Sequence, residues 1–263
     1  RCPFNFGNNR LIVIVGEYDD APFSYPISEV QEKIYGDPHS VNDFTREASF
    51  GQTFFSGQSV KGPYSLWANA KSDHCGGNVN LNEIGQLLLN AANAEVDFNQ
   101  YKRIMFVGTS AWMCFAGAGE IFATMHDTTD GQVLQSWSFV NYQFTDFFVT
   151  TASHELGHNF GLWHSNYAEC GDYYFGDDMT MCTNYEYGNR YSVMGSASWF
   201  PFHFTANHKS LLDWIADSSS IEAVTGTFSL YPIEKYDGLR SIAVPFGVIQ
   251  NPENIPFLPY MGV

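Results

Sequence analysis

HELGHNFGLWH, residues 154–164, gathers three of the chain's 8 histidines into one short run. On an α-helix, His154 and His158 stand one turn apart on the same face, because side chains four residues apart are neighbours there. Two imidazoles presented that way can share one zinc ion at about 2.0–2.1 Å each. Glu155 follows the first histidine, close enough to reach a water on such a metal without ligating the metal itself. Gly161 accounts for the second spacing. A glycine three residues past His158 can take a positive φ, end the helix and turn the chain sharply. That turn returns His164 toward the metal, where a continuing helix would carry it away. Three protein ligands leave a fourth position open, the arrangement of a catalytic rather than a structural zinc. A lone helical histidine is more often a satisfied surface or core residue, but here five positions fit one pattern.

A second element lies downstream: YSVMGSAS, residues 191–198, places Met194 thirty residues after His164. HExxHxxGxxH followed by such a methionine resembles the signature of the metzincin zinc endopeptidases. Within that clan, HELGHNFGLWHS, SVMGSAS, FHFTANHKSLLDWI (202–215) and SVNDFTREASFGQTFFSG (40–57) resemble the gametolysin-like metallopeptidases, and the likeness runs over about residues 10 to 245. The resemblance implies an α+β (mixed α/β) fold. A twisted, mostly parallel sheet with helices would form an upper subdomain over about 1–161, and an irregular lower subdomain with one C-terminal helix would follow over 162–216. Residues 217–263 would be a β-rich segment, part of an appended domain. The resemblance also implies a catalytic Zn2+ on His154, His158 and His164, Met194 as an apolar floor beneath it, and Glu155 as the base that activates the zinc-bound water toward a peptide bond. Some metzincins carry a tyrosine two residues after the methionine. Ser196 stands there in this chain, so that role is not carried over. Trp199 and Phe200 follow where relatives build one wall of the primary specificity pocket, and each reads equally as core. The expected partner is a protein or peptide substrate, by analogy an extracellular-matrix or cell-wall protein, cleaved by a secreted monomer. The alternative is an inactive or zymogen-locked binding protein of the same fold. The intact Glu155 speaks for the enzyme.

Composition sets the outer bounds. The chain of 263 residues is 44% hydrophobic and 17% aromatic, enough for one or two domains with a real core. A net charge of −16 disfavours nucleic acid or an anionic membrane as partner. No apolar run is long enough to span a bilayer. With no leader visible at Arg1, the chain is expected to follow a removed signal or propeptide, and NPENIPFLPYMGV at the other end is expected to continue.

Of the 5 cysteines, Cys170 and Cys182 lie in the loop after the histidine run and are expected to be bridged, contributing about 3 kcal/mol by the chain-entropy model. Cys75 and Cys114 are a candidate second pair. Cys2, in RCPF, resembles the cysteine-switch segment of some metzincin propeptides; a free terminal thiol or a bridge to a partner is the plainer alternative. GDYYFGDD (171–178) offers Asp172, Asp177 and Asp178 to Ca2+, but it lacks EF-hand alternation and reads first as a solvated acidic loop. Asp127 and Asp130 in DTTDG belong to a turn, and His203 and His208 read as structural.

Along the chain, RLIVIVGE (10–17), RIMFVGTS (103–110) and QSWSFVN (135–141) read as strands, the last at the edge of the sheet and open to an extended peptide. Ser28 with Gln31 forms a capping-box pattern before EVQEKIYG. Val41, Phe44 and Ala48 have helical spacing. QTFFSG and VKGPYSLW read as two strands joined by a glycine turn. Ile84, Leu87, Leu88 and Ala91 form the apolar stripe of a helix over about 81–95. Val149, Ala152, Leu156 and Phe160 are expected to face the sheet, with the histidines on another side. The stretch TGTFSLYPIEKYDGLRSIAVPFG (225–247) reads as short strands between turns.

Overall fold

RLIVIVGE lies within strand β1 (Gly7–Glu17), and Leu11 to Val15 are fully buried. The run is apolar on both faces because the strand is covered on both. β1 is flanked in parallel by β2 (Thr53–Ser65) and β3 (Arg103–Gly108). Leu11, Val13 and Val15 enter one core, while Ile12 and Ile14 enter the other. Two-sided burial is the mark of a parallel sheet with helices on each face. The computed structural model describes residues 3–36, 38–66, 80–109, 115–142, 146–171, 182–196, 202–222 and 225–243. Cys2, Cys75, Cys114, Asp172, Asp177, Asp178, Trp199 and Phe200 lie outside the described residues.

Five helices occur among the described residues. They are α1 (Ile27–Tyr35), α2 (Val41–Ala48), α3 (Leu81–Ala92), α4 (Phe148–Asn159) and α5 (Ala206–Leu211). The first core joins side chains of α1, α2 and α4 to the sheet; the second joins those of α3. The fold is therefore mixed α and β around a mostly parallel sheet. Its strand order is β2-β1-β3-β6-β4, with β6 at Gly131–Asn141 and β4 at Gly117–Gly119; β5 (Thr124–Thr128) also pairs with β6.

Four local expectations are corrected. QSWSFVN is internal: β4 runs antiparallel along Ser138–Val140 and occupies the edge beyond it. The three residues Gly-Ala-Gly are too short and too bland to show a strand period. QTFFSG and VKGPYS form one strand, β2, rather than two. Its register against β1 slips between Arg10 and Ile12 and again between Ile14 and Gly16, so Gly57, read as the turn, sits at a bulge, and so does Gly62 within VKGPYS. Gly57 and Gly62 have φ of +118° and +107°, and a Cβ on either would lie 2.5 or 2.3 Å from a carbonyl oxygen of β1. Helix α1 begins at Ile27, one residue before Ser28, after an N-cap Pro26 that offers no side-chain cap; a capping side chain does form at Ser40, whose Oγ accepts from Asp43 N at 3.0 Å to open α2. In α3 the buried stripe is Ile84, Leu88, Leu89 and Ala92, while Leu87 and Ala91 are exposed. Gly85 sits so close to the sheet that a Cβ would meet the Trp137 ring at 2.5 Å, which rotates the helix toward that contact.

Beyond α4 the described chain loses regularity. β7 (Tyr167–Glu169) and β8 (Thr183–Tyr185) form a short antiparallel hairpin, followed by α5 and the buried Trp214. β9 (Ser220–Glu222) pairs in parallel with β10 (Ser241–Ala243), whereas residues 225–240, read as short strands, contain none. Lys209 ties that irregular stretch to α5: its buried Nζ donates to Ile233 O at 3.0 Å and lies 4.4 Å from the Phe50 ring. No described helix is long and apolar enough to cross a membrane.

Candidate metal centre

Helix α4 carries the histidine run against the sheet. Ala152, Leu156 and Phe160 are buried in the first core, and Val149 packs partly against it. The helix ends in a Schellman arrangement. Gly161 N donates to His158 O at 2.7 Å, and Leu162 N donates to Gly157 O at 3.0 Å. Gly161 has φ +102°, and a Cβ there would strike the Phe122 ring at 2.1 Å, so both conformation and space demand glycine. The turn brings His164 beside the helical pair.

His154, His158 and His164 each offer a ring nitrogen, and these atoms all lie within 4.8 Å of one another, a group that can hold a metal ion. The other ring nitrogen of each is engaged. His154 Nδ1 meets Val193 O at 2.7 Å, His158 Nδ1 meets Leu162 O at 2.7 Å, and His164 Nδ1 meets Glu186 Oε1 at 2.6 Å. Carbonyls and an ionised carboxylate only accept, so each Nδ1 carries the proton and each Nε2 is left with its lone pair. His158 Nε2 and His164 Nε2 then face each other as two acceptors 3.1 Å apart. Two ligands of one tetrahedral zinc stand about 3.3 Å apart, given bonds of about 2.0–2.1 Å. The donor set fits such an ion. Burial lowers the imidazole pKa of His154 to about 4, with the neighbouring His158 adding to it, and burial likewise lowers that of His158. Both rings are therefore neutral and ligand-ready at neutral pH.

Glu155 is buried on the adjoining side of α4, where desolvation pushes its carboxyl up to about 8. Edge strand β4 makes room for it: a Cβ on Gly117 would lie 2.4 Å from Glu155 Oε1, and one on Gly119 would lie 2.6 Å from Glu155 O. Met194 is fully buried and packs against the helix at Gly157, whose Cβ would fall 2.3 Å from the methionine sulfur. Met194 thus lies beside the helical turn that separates His154 from His158. Its segment is joined to the third histidine's, because Ser165 N donates to Met194 O at 2.7 Å.

Other singled-out residues lie away from this cluster. Only Asp130 sits in the β5–β6 turn, where its Oδ2 accepts from Phe98 N at 2.8 Å; Asp127 lies within β5, opposite Gln132 of β6. His203 contacts Glu47 and Lys209, and His208 is buried in α5. Cys170 and Cys182 are disulfide-bonded at the end of the β7–β8 pair where the chain leaves β7 and enters β8, beside the Glu169–Thr183 pairing. Two neighbours of the histidines escaped the sequence reading, Glu186 and Tyr187. The Tyr187 ring lies 3.7 Å from that of His164 and 5.8 Å from that of His154. No local pattern marks them, since they come 22 and 23 residues after His164 and meet it only through the hairpin. No protein-family model matches this chain, and no curated protein matches it.

Proposed function

We propose that the protein is a zinc-dependent endopeptidase of the metzincin type, nearest the gametolysin-like enzymes, acting outside the cell on protein substrates. The observation that carries the reading is the convergence of three Nε2 lone pairs, each held by an acceptor on Nδ1, beside a buried carboxylic acid. Zinc bound there supplies the Lewis acidity that acidifies water and polarises the scissile carbonyl. Glu155 takes the proton of the attacking water and passes it to the departing amide nitrogen. Burial raises its pKa to about 8, and the charge of a bound zinc ion would lower it again toward the working pH of a general acid–base catalyst. β4 gives an extended peptide a strand edge next to Glu155, since no strand pairs with its other side among the described residues. Met194 keeps the inner side of the histidine pair dry. The Cys170–Cys182 disulfide suits an oxidising, extracellular compartment.

Incubation with denatured casein or gelatin tests the reading. Cleavage is expected that stops on adding a zinc chelator and is absent from Glu155→Ala. Intact substrate at one bound zinc per chain would point to the locked or silent relative instead.

A further inference from the structure

His164 differs from the other two histidines in how it is held. His154 and His158 stand on α4 and are fastened by backbone carbonyls of Val193 and Leu162. His164 stands past the helix, on a stretch without regular structure, and its Nδ1 meets a side chain, Glu186 Oε1. Tyr187 lies over the same ring at 3.7 Å, in a left-handed conformation with φ +60° that a tyrosine rarely adopts. Three contacts hold it there: Tyr187 N donates to Asn166 Oδ1 at 3.2 Å, Ser196 N donates to Tyr187 O at 2.7 Å, and Gly188 N donates to Tyr185 O at 3.1 Å. Glu186 and Tyr187 follow β8 directly, and β8 is cross-linked to β7 at its other end by Cys170–Cys182.

We infer that Glu186 and Tyr187 are positioning residues that clamp the third metal ligand, with the cross-linked β7–β8 hairpin as their support, so that the affinity of the site is set in part by this hairpin. The inference rests on the metal-centre reading above. A carboxylate on the remote nitrogen fixes the tautomer and raises the basicity of the ligating one, and loss of such a partner typically costs 10–100-fold in metal affinity. The carboxylate does more here than a carbonyl does for His154 or His158, because no helix orients His164.

The test is competition between the whole protein and a chromophoric chelator for Zn2+, repeated with Co2+ so that the visible ligand-field bands report geometry. Wild type, Glu186→Gln, Glu186→Ala, Tyr187→Ala and the Cys170→Ser/Cys182→Ser pair are compared, with circular dichroism of each metal-free form as the control for folding. Glu186→Ala is expected to bind both ions 10–100-fold more weakly with altered Co2+ bands, while Glu186→Gln, which keeps an acceptor oxygen, recovers part of the loss. Tyr187→Ala and the double serine variant are expected to weaken binding in the same direction. Wild-type affinity and unchanged Co2+ bands in folded Glu186→Ala would overturn the clamp while leaving the metal centre in place. A wild type that binds neither ion would overturn both.

Discussion

Gly157 sits between the two helical histidines with Met194 pressed against it, a contact that no local rule in the sequence specifies. HExxH leaves that position open, and the partner lies 37 residues away. Gly157→Ala would set a Cβ 2.3 Å from the Met194 sulfur and 3.1 Å from the Phe204 ring. The cost expected of such overpacking is about 1–3 kcal/mol, readable by urea denaturation, with weaker metal binding alongside. A variant as stable as wild type would mean that Met194 swings aside freely. His208 yields a second expectation. It is buried, with Nδ1 lacking a hydrogen-bond partner among the described residues, and burial first, then His158, lowers its pKa from 6.5 to about 4. Between those values the unfolded chain takes up a proton that the folded chain refuses, so stability falls as pH drops from about 6.5 to 4. The loss amounts to about 3 kcal/mol. His154 adds to it in the metal-free protein. Denaturant midpoints of metal-free His208→Leu at pH 7 and pH 4.5 are expected to differ less than those of wild type; an equal difference would contradict this.

Among the elements, α4 was the most legible, because every feature that defines it is local. Its apolar spacing gives the face packed on the sheet, its i, i+4 histidines give another, and Gly161 gives its end. β1 and β3 were legible for a similar reason, as continuous apolar runs. β4 was not, since three small residues become a strand only through their partners on β6. The bulges of β2 were hidden too: a glycine looks the same in a turn and in a bulge until the neighbouring carbonyls of Leu11 and Val15 are in place. The smallness of β4 has a direct consequence at the site. Gly117→Ala would thrust a methyl to within 2.4 Å of Glu155 Oε1. A drop in kcat/KM of about tenfold or more is expected at unchanged zinc content, because reactive geometry tolerates little displacement. Loss of zinc with loss of activity would show instead that β4 supports the ligands.

At the scale of the molecule, the sequence carried the mixed, mostly parallel architecture and the three histidines that converge. It did not carry the hairpin that places Glu186 on His164, nor the packing of residues 225–240 around Lys209, because both depend on contacts between distant, irregular segments. A metal bound to the folded chain alone must stabilise it by mass action, about 4 kcal/mol at a free concentration a thousandfold above Kd. Chelation is therefore expected to lower the unfolding temperature, and an unchanged melt would argue against a tight site. The central claim is that one zinc on His154, His158 and His164, served by Glu155, cleaves peptide bonds. Its most direct test strips the metal and titrates zinc back while casein cleavage is followed in wild type and Glu155→Gln. Activity should rise to a plateau at one zinc per chain in the wild type, while the variant binds the same zinc and stays silent. Cleavage by zinc-loaded Glu155→Gln at the wild-type rate, or none by the wild type at one equivalent, would contradict the claim.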